Sequence, residues 1–258
     1  MAGLSGPVHG MLNVVFDDGS GSPIVMLHGV ENDGRFWIDT ARRLSVAHRV
    51  ICLDLLGFGH SPCPDIAYTV DEHADAVEAT VDDLLGPAAL LTLVGHSLGA
   101  IIAARCAARR PERIERLVLF GPPVRHDHID PGPVPADRLK AAFVRSVPAM
   151  RATGVALTSL PPAGAILGTT RLGTYRSSLR SIENTIERED VASDLRAASG
   201  VPVTVVYGAS DPYVVPAHAE SLAEVREGIE VVRVDSAHDV AHIRPAETLA
   251  AIDADLVG

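Results

Sequence analysis

Short apolar runs alternate with amphipathic stretches along most of the chain. Most of the runs are apolar at every position, which is typical of parallel strands covered on both faces. The predicted strands are Ile24–Leu27, Val50–Leu53, Leu90–Val94, Leu117–Phe120, Val203–Tyr207 and Glu230–Val234, with Leu12–Phe16 as an antiparallel edge strand. The alternation predicts an α/β protein with a mostly parallel, doubly wound sheet of about eight strands.

Two of the amphipathic stretches have clear helix ends. Val70–Leu85 has apolar residues at helical spacing, with a capping-box pattern at Thr69 and Glu72 before it and Gly86 after it. Leu98–Arg109 is rich in alanine and follows a predicted strand almost directly. Both are therefore predicted as helices that pack on the sheet.

The interval from about 124 to 199 breaks the alternation. It has no good strand pattern, but several helical pieces interrupted by Pro and Gly. We therefore predict a single domain over residues 1–258, with a core at about 1–123 and 200–258 and an inserted helical cap at about 124–199. The mixed charge between Arg171 and Arg196 predicts a solvated helix inside this cap.

Composition then excludes several classes of protein. The 258 residues are 47 % hydrophobic with a net charge of −11, which argues against disorder and against binding a nucleic-acid backbone. No apolar run is long enough to span a membrane, and the first ten residues lack a signal-peptide pattern. Cysteines 52, 63 and 106 fit neither a zinc site nor a disulfide framework, and the first and last are predicted to be buried. We expect a cytoplasmic protein that binds neither nucleic acid nor membrane.

The strongest chemical signal is the sequence Gly95-His96-Ser97-Leu98-Gly99. It lies between a predicted strand and a predicted helix, and Gly-x-Ser-x-Gly in that context is typical of a nucleophile elbow. A sharp turn exposes the serine hydroxyl at a helix N-terminus, where backbone N–H groups favour a developing oxyanion. The sequence therefore predicts Ser97 as a nucleophile.

With three further blocks, the elbow resembles the α/β-hydrolase superfamily over nearly the whole chain. These blocks are Leu27-His28-Gly29-Val30, the Asp54–Ser61 stretch, and the C-terminal segments that hold an aspartate and a histidine. The resemblance implies the α/β-hydrolase fold, a Ser-His-Asp triad and no cofactor. We expect a small-molecule substrate and a monomer or homodimer.

The resemblance implies a chain order of serine, acid, then histidine. It points to His238, which follows the last predicted strand, as the base; His218 and His242 also follow the acid, and His242 is better explained as a helix-start or pocket residue. Asp211 is the expected acid, with Asp127 or Asp130 as the alternative used by some family members. The family pattern has a proline four residues after the acid, whereas Pro216 is five residues after Asp211, so this loop departs from the family pattern.

Backbone N–H groups of Val30 and Leu98 are the oxyanion-hole donors that the resemblance implies. The Asp54–Ser61 glycine pattern is interpreted as structural.

His126, His128 and Asp130 form a weak metal pattern, but no second group of ligands stands out, so no metal is expected. The candidate pocket residues are His28, His96, Trp37, His126 and His242, although core packing explains Trp37 equally well.

These residues predict acyl transfer from a small or medium ester, thioester or lactone. One alternative is a carbon–carbon bond hydrolase acting on dienoic keto-acids, although Val30–Asp33 and His96 differ from that group's usual residues. A second alternative is a receptor or scaffold without turnover. The interval from Pro122 to Gly200 has ten basic and eight acidic residues, so an anionic substrate is compatible with the overall charge.

Overall fold

The computed structural model of the protein describes residues 10–124 and 172–254. Within these ranges a seven-stranded sheet has the order β1-β3-β2-β4-β5-β6-β7. The strands are β1 Val14–Asp18, β2 Pro23–Leu27, β3 Arg49–Leu53, β4 Leu91–His96, β5 Ile114–Phe120, β6 Val203–Gly208 and β7 Ile229–Val234. β1 runs antiparallel to β3 and every other pair is parallel, which confirms the predicted fold class; the described residues contain seven of the predicted eight or so strands.

The edge strand β1 begins and ends two residues later than predicted. Val14 pairs with Leu53 and Asp18 with Val50, so the pairing extends through the two aspartates. Leu12 is instead buried, and its N–H donates to Oγ1 of Thr80 (2.9 Å). The contact with Thr80 is a tertiary one, which explains why periodicity alone misplaced the strand.

Helices cover both faces of the sheet. Their bounds are α1 Ile38–Leu44, α2 Val70–Leu85, α3 Leu98–Arg109, α4 Leu172–Ser181, α5 Val191–Ala197, α6 Pro216–Ser221, α7 Val240–Ile243 and α8 Pro245–Ile252. Side chains of α2, α3 and α5 pack in one buried cluster, and those of α1, α7 and α8 pack in a second one. The two clusters lie on opposite faces, as a doubly wound sheet requires.

The two helices with clear sequence signals have the predicted bounds. α2 begins after Thr69, whose side chain accepts from the Glu72 N–H while the Glu72 carboxylate accepts from the Thr69 N–H. Gly86 follows the last residue with a φ of +82°, a conformation in which glycine avoids strain. α3 occupies Leu98–Arg109 as predicted.

The expectation of a solvated helix between Arg171 and Arg196 is wrong for one face of this segment. α4 continues into a π-helical turn, Ile182–Ile186, and then α5. Ser177, Ser181 and Thr185 have 0 % exposure and bond to the core, Ser177 Oγ donating to the Gly57 carbonyl (2.6 Å). Short hydroxyl side chains, whose hydrogen bonds are satisfied by the core, bury this face in spite of its polar sequence.

No helix in the described ranges is long and apolar enough to cross a membrane. The carboxyl ends of β2, β4, β5, β6 and β7 meet along one edge of the sheet, and the loops that follow them carry the candidate site. In open α/β sheets this is the edge at which ligands bind.

Candidate active site

Ser97 connects β4 to α3 in a strained backbone conformation. Its φ is +53° and its ψ −114°, and the residue is 3 % exposed. A Cβ on Gly95 would overlap the Gly99 carbonyl, and one on Gly99 would lie 2.5 Å from the Leu27 carbonyl oxygen. The two glycines therefore allow the close approach that the elbow needs, and the strain is of the kind that concentrates at functional sites.

His238 and Asp211 form a hydrogen-bonded pair beside this elbow. Nδ1 of His238 lies 2.7 Å from Oδ2 of Asp211, whose side chain is fully buried. Oδ1 of the same carboxylate accepts the N–H groups of Tyr213 (2.8 Å) and Val214 (3.1 Å). The carboxylate is thus held in place by its own loop, and it fixes the tautomer that leaves Nε2 of His238 free to accept a proton.

The loops that carry this pair are held together by backbone contacts. The N–H of Ser210 donates to the Ser236 carbonyl (2.9 Å), and a Cβ on Gly208 would overlap the Ala237 carbonyl. Gly121, after β5, has a φ of +54°, and a Cβ there would lie 3.2 Å from Nδ1 of His238. The pair is therefore enclosed by the ends of three neighbouring strands.

His28 fixes the direction of the predicted oxyanion donor on Val30. The Leu55 N–H donates to Nε2 of His28 (2.9 Å), so Nδ1 carries the ring proton and donates to the Gly29 carbonyl (2.7 Å). In a trans peptide the carbonyl and the following N–H point in opposite directions, so this bond turns the Val30 N–H away from His28. A Cβ on Gly29 would lie 3.1 Å from Ser97 Cβ, which places this loop against the candidate nucleophile.

Leu98, the other predicted donor, is the first residue of α3. The first N–H groups of a helix have no partner within the helix, so they can stabilise an anion. Its backbone directly follows Ser97, as an oxyanion hole requires.

The pocket residues predicted from the sequence differ in their burial in the structure. His28 and Trp37 have 0 % exposure, and Trp37 packs against Phe36 and Phe120 in the core. His242 is exposed in α7, with its ring 4.6 Å from that of Phe36. His126, His128 and the alternative acids Asp127 and Asp130 lie outside the described residues.

His96 is buried beside the pair. Its Nε2 lies 3.2 Å from the His238 carbonyl oxygen, and its ring is stacked on Phe36 with the centroids 4.6 Å apart. Burial lowers the pKa of His96 well below its usual value, so the ring is neutral near neutral pH.

The Asp54–Ser61 block has the structural role assigned to it. The carboxylate of Asp54 accepts the N–H groups of Gly34 and His60 and the side-chain amide of Asn13, all at 2.8 Å. The carboxylate therefore connects β1, β3 and the loop after β2. Among the described residues no group of three or more His, Cys, Asp or Glu is placed to hold a metal ion.

Sequence reasoning missed three contributors to this site. They are the Tyr213 and Val214 N–H groups, Gly121 beside the pair, and the bond from His96 to the His238 backbone. Only Gly121 had a signal, because a glycine directly after a strand marks a sharp turn. The others depend on contacts between segments far apart in the chain.

An open α/β sheet, with a strained serine between strand and helix and a histidine–aspartate pair at the same edge, defines the α/β-hydrolase class. The family model described as the alpha/beta hydrolase fold matches residues 22–182, more than half of the chain. The chain belongs to this family.

Named relatives within the family differ in what they act on. A haloalkane dehalogenase from Agrobacterium fabrum is 35 % identical over 128 residues, which are 49 % of this chain and 41 % of the relative. A 2-hydroxymuconate semialdehyde hydrolase from a Pseudomonas strain is 38 % identical over 116 residues, which are 43 % of this chain and 40 % of the relative. The match thus spans less than half of each curated relative.

Among solved structures, an esterase from Exiguobacterium antarcticum superposes with a TM-score of 0.79 and 22 % identity, covering 98 % of both chains. At this identity the similarity shows the fold alone.

Proposed function

We propose that the protein is a serine hydrolase that cleaves a small or medium ester, thioester or lactone through an acyl-enzyme intermediate. The observation that carries this proposal is the hydrogen-bonded Asp211–His238 pair at 2.7 Å beside a serine held at φ +53°. A buried carboxylate that orients a histidine near a serine at a helix N-terminus has the parts of a triad.

In the proposed mechanism Oγ of Ser97 attacks the substrate carbonyl while Nε2 of His238 accepts the hydroxyl proton. Asp211 keeps the His238 proton on Nδ1 and stabilises the imidazolium. The Val30 and Leu98 N–H groups hold the oxyanion. His238 then protonates the leaving group, and water hydrolyses the acyl-enzyme with His238 again acting as base.

Serine at the elbow supports ester-type chemistry over the dehalogenase reaction named for one relative. The α/β-hydrolases that displace halides or open epoxides carry an aspartate at the nucleophile position of the elbow. This chain has Ser97 there. Its hydroxyl needs a base, and His238 is the base in the proposed mechanism.

A second candidate is carbon–carbon bond hydrolysis of dienoic keto-acids. The match to a 2-hydroxymuconate semialdehyde hydrolase favours it. Against it, Glu31 and Asp33 stand in the loop after Gly29, where that group usually has glycines, and His96 replaces its usual asparagine. The substrate in either case is a small molecule, and an anionic one fits the charge of the 124–199 interval.

Fluorophosphonate labelling tests the proposal. We expect one label per chain, located on Ser97 by mass spectrometry, and hydrolysis of p-nitrophenyl acetate that Ser97→Ala abolishes. Ser45→Ala, near the opposite edge of the sheet, should leave both unchanged. Labelling that persists in Ser97→Ala would refute the assignment. Turnover of a dienoic keto-acid far above that of any ester would support the second candidate, and labelling without any turnover would support a receptor.

A further inference from the structure

His96 contacts the site but has no role in the mechanism proposed above. It ends β4, directly before Ser97, and its side chain is 2 % exposed. Its ring lies between two others, stacked on Phe36 at 4.6 Å and tilted against His238 at 4.7 Å. A polar ring enclosed this closely has one fixed orientation, so each of its nitrogens has a defined neighbour.

The hydrogen bond of His96 defines its tautomer. Nε2 lies 3.2 Å from the His238 carbonyl oxygen, and a carbonyl can only accept, so Nε2 carries the proton. Nδ1 of His96 faces Gly29: a Cβ added to Gly29 would lie 2.9 Å from this nitrogen. His96 is therefore a neutral donor to the backbone of the proposed base.

This bond holds the peptide that follows His238. The His238 carbonyl accepts from His96 and also from the Val240 N–H (3.0 Å), which opens α7. Two donors use both lone pairs of the carbonyl and fix the orientation of the peptide plane. Because the carbonyl and the ring share one Cα, this orientation limits the directions in which the His238 ring can point.

We propose that His96 is a positioning residue that holds the His238 loop, and so aims Nε2 of His238 at Ser97. The proposal rests on the proposed function. It explains the choice of residue, because histidine supplies an uncharged N–H donor on a planar group that stacks on Phe36.

Burial is the largest cause that lowers the pKa of His96, and the nearby His238, His242 and His28 rings lower it further. The other titratable group that faces the ring is Asp239, whose Oδ1 lies 3.8 Å from Nε2. His238 becomes an imidazolium when it accepts the serine proton, and a second cation 4.7 Å away would oppose that transfer. A lysine or arginine would donate the same bond but add this repulsion.

Two variants of similar size separate the hydrogen bond from packing. His96→Gln keeps an N–H donor of comparable reach, whereas His96→Met has none. With p-nitrophenyl acetate we expect kcat per fluorophosphonate-titrated site to fall about 10- to 100-fold in His96→Met, with KM within about two-fold, since misplacement by about 1 Å can cost about 10²-fold. His96→Gln should stay within about three-fold of the parent.

Titrating active sites corrects for any unfolded fraction in these variants. As a matched control, His48→Met removes a bond to Asp253 (2.6 Å) just before β3, at the opposite edge of the sheet, and should lower Tm without changing kcat per site. Equal kcat in the Gln and Met variants, or a loss confined to Tm, would overturn the positioning role. Ser97→Ala is assayed in parallel: if it retains full turnover, the proposed function fails and the positioning role fails with it.

Discussion

The two halves of the candidate site are built by different physical means. The elbow consists of five consecutive residues, Gly95–Gly99, and its shape depends on the absence of two Cβ atoms. The acid–base pair joins residues 27 positions apart and depends on hydrogen bonds between loops. Excluded volume therefore determines one half, and directional polar contacts determine the other.

This difference predicts different responses to mutation. A side chain added at the elbow must displace backbone, so stability and activity should fall together. A polar exchange in the pair can leave the loops in place, so activity should fall alone. Each of the following variants tests one side of this contrast.

Asp211→Asn should have the largest effect, with kcat falling about 10⁴-fold. The amide oxygen can still accept from Tyr213 and Val214, so the free energy of unfolding should change by less than about 1 kcal/mol. The amide N–H would face Nδ1 of His238 and force the proton onto Nε2, which removes the base. Ester kinetics and urea unfolding check both parts.

Asp235→Asn is the matched control for this exchange, because Asp235 follows β7 but its side chain is 91 % exposed. It should leave kcat unchanged. A large loss of stability in Asp211→Asn would contradict the idea that the loop survives without the charge.

Gly99→Ala should affect both properties at the elbow. The added Cβ would lie 2.5 Å from the Leu27 carbonyl oxygen and 2.6 Å from that of His28. We expect the rate of fluorophosphonate labelling to fall about 10²-fold and stability to fall by about 3 kcal/mol. Gly200→Ala, at φ +81° in open space, should cost about 1 kcal/mol and leave labelling unchanged. Labelling at the parental rate in Gly99→Ala would show that the elbow tolerates a side chain there.

Gly121→Ala tests excluded volume within the acid–base half, which otherwise depends on directional polar contacts. Its φ of +54° disfavours a side chain, and the new Cβ would lie 3.2 Å from the His238 ring. We expect kcat to fall about 10-fold and stability to fall by about 1–2 kcal/mol. A kcat equal to that of the parent, measured on the folded variant, would mean that His238 does not depend on this contact.

The smallest expected effect on activity belongs to a pH dependence of stability, which depends on the fold and on neither half of the site. Burial lowers the pKa of His73 to about 3, while Nε2 lies 3.0 Å from Ser181 Oγ. In the unfolded chain His73 binds a proton near pH 6.5 and in the folded chain it does not, so stability falls as the pH drops below about 6.5.

His73→Gln should reduce the slope of the free energy of unfolding against pH by about 1.4 kcal/mol per pH unit between about pH 6 and pH 4. Urea unfolding at several pH values measures it. An unchanged slope would show that His73 is protonated in the folded state, and labelling of Ser97 at pH 7 should not change.

More of the elbow half than of the acid–base half could be predicted from the sequence. The Gly95–Gly99 pattern, together with the strand and helix around it, is local, and the structure has that strand–turn–helix in place. For the pair, the sequence and the resemblance named His238 and Asp211, and the structure places them in contact. Pro216 differed from the family spacing, yet Asp211 is held by Tyr213 and Val214, contacts that no pattern displayed.

The sequence by itself determined the strand–helix alternation, the ends of α2 and α3, and the strained serine turn, because each depends on neighbouring residues. Only the tertiary structure decided that His28 and Trp37 are buried, that the α4–α5 face packs on the core, and that His96 bonds to the His238 backbone. Those outcomes depend on which distant segment supplies a hydrogen-bond partner or excludes water. The local pattern of hydrophobic residues does not show which distant segment that is.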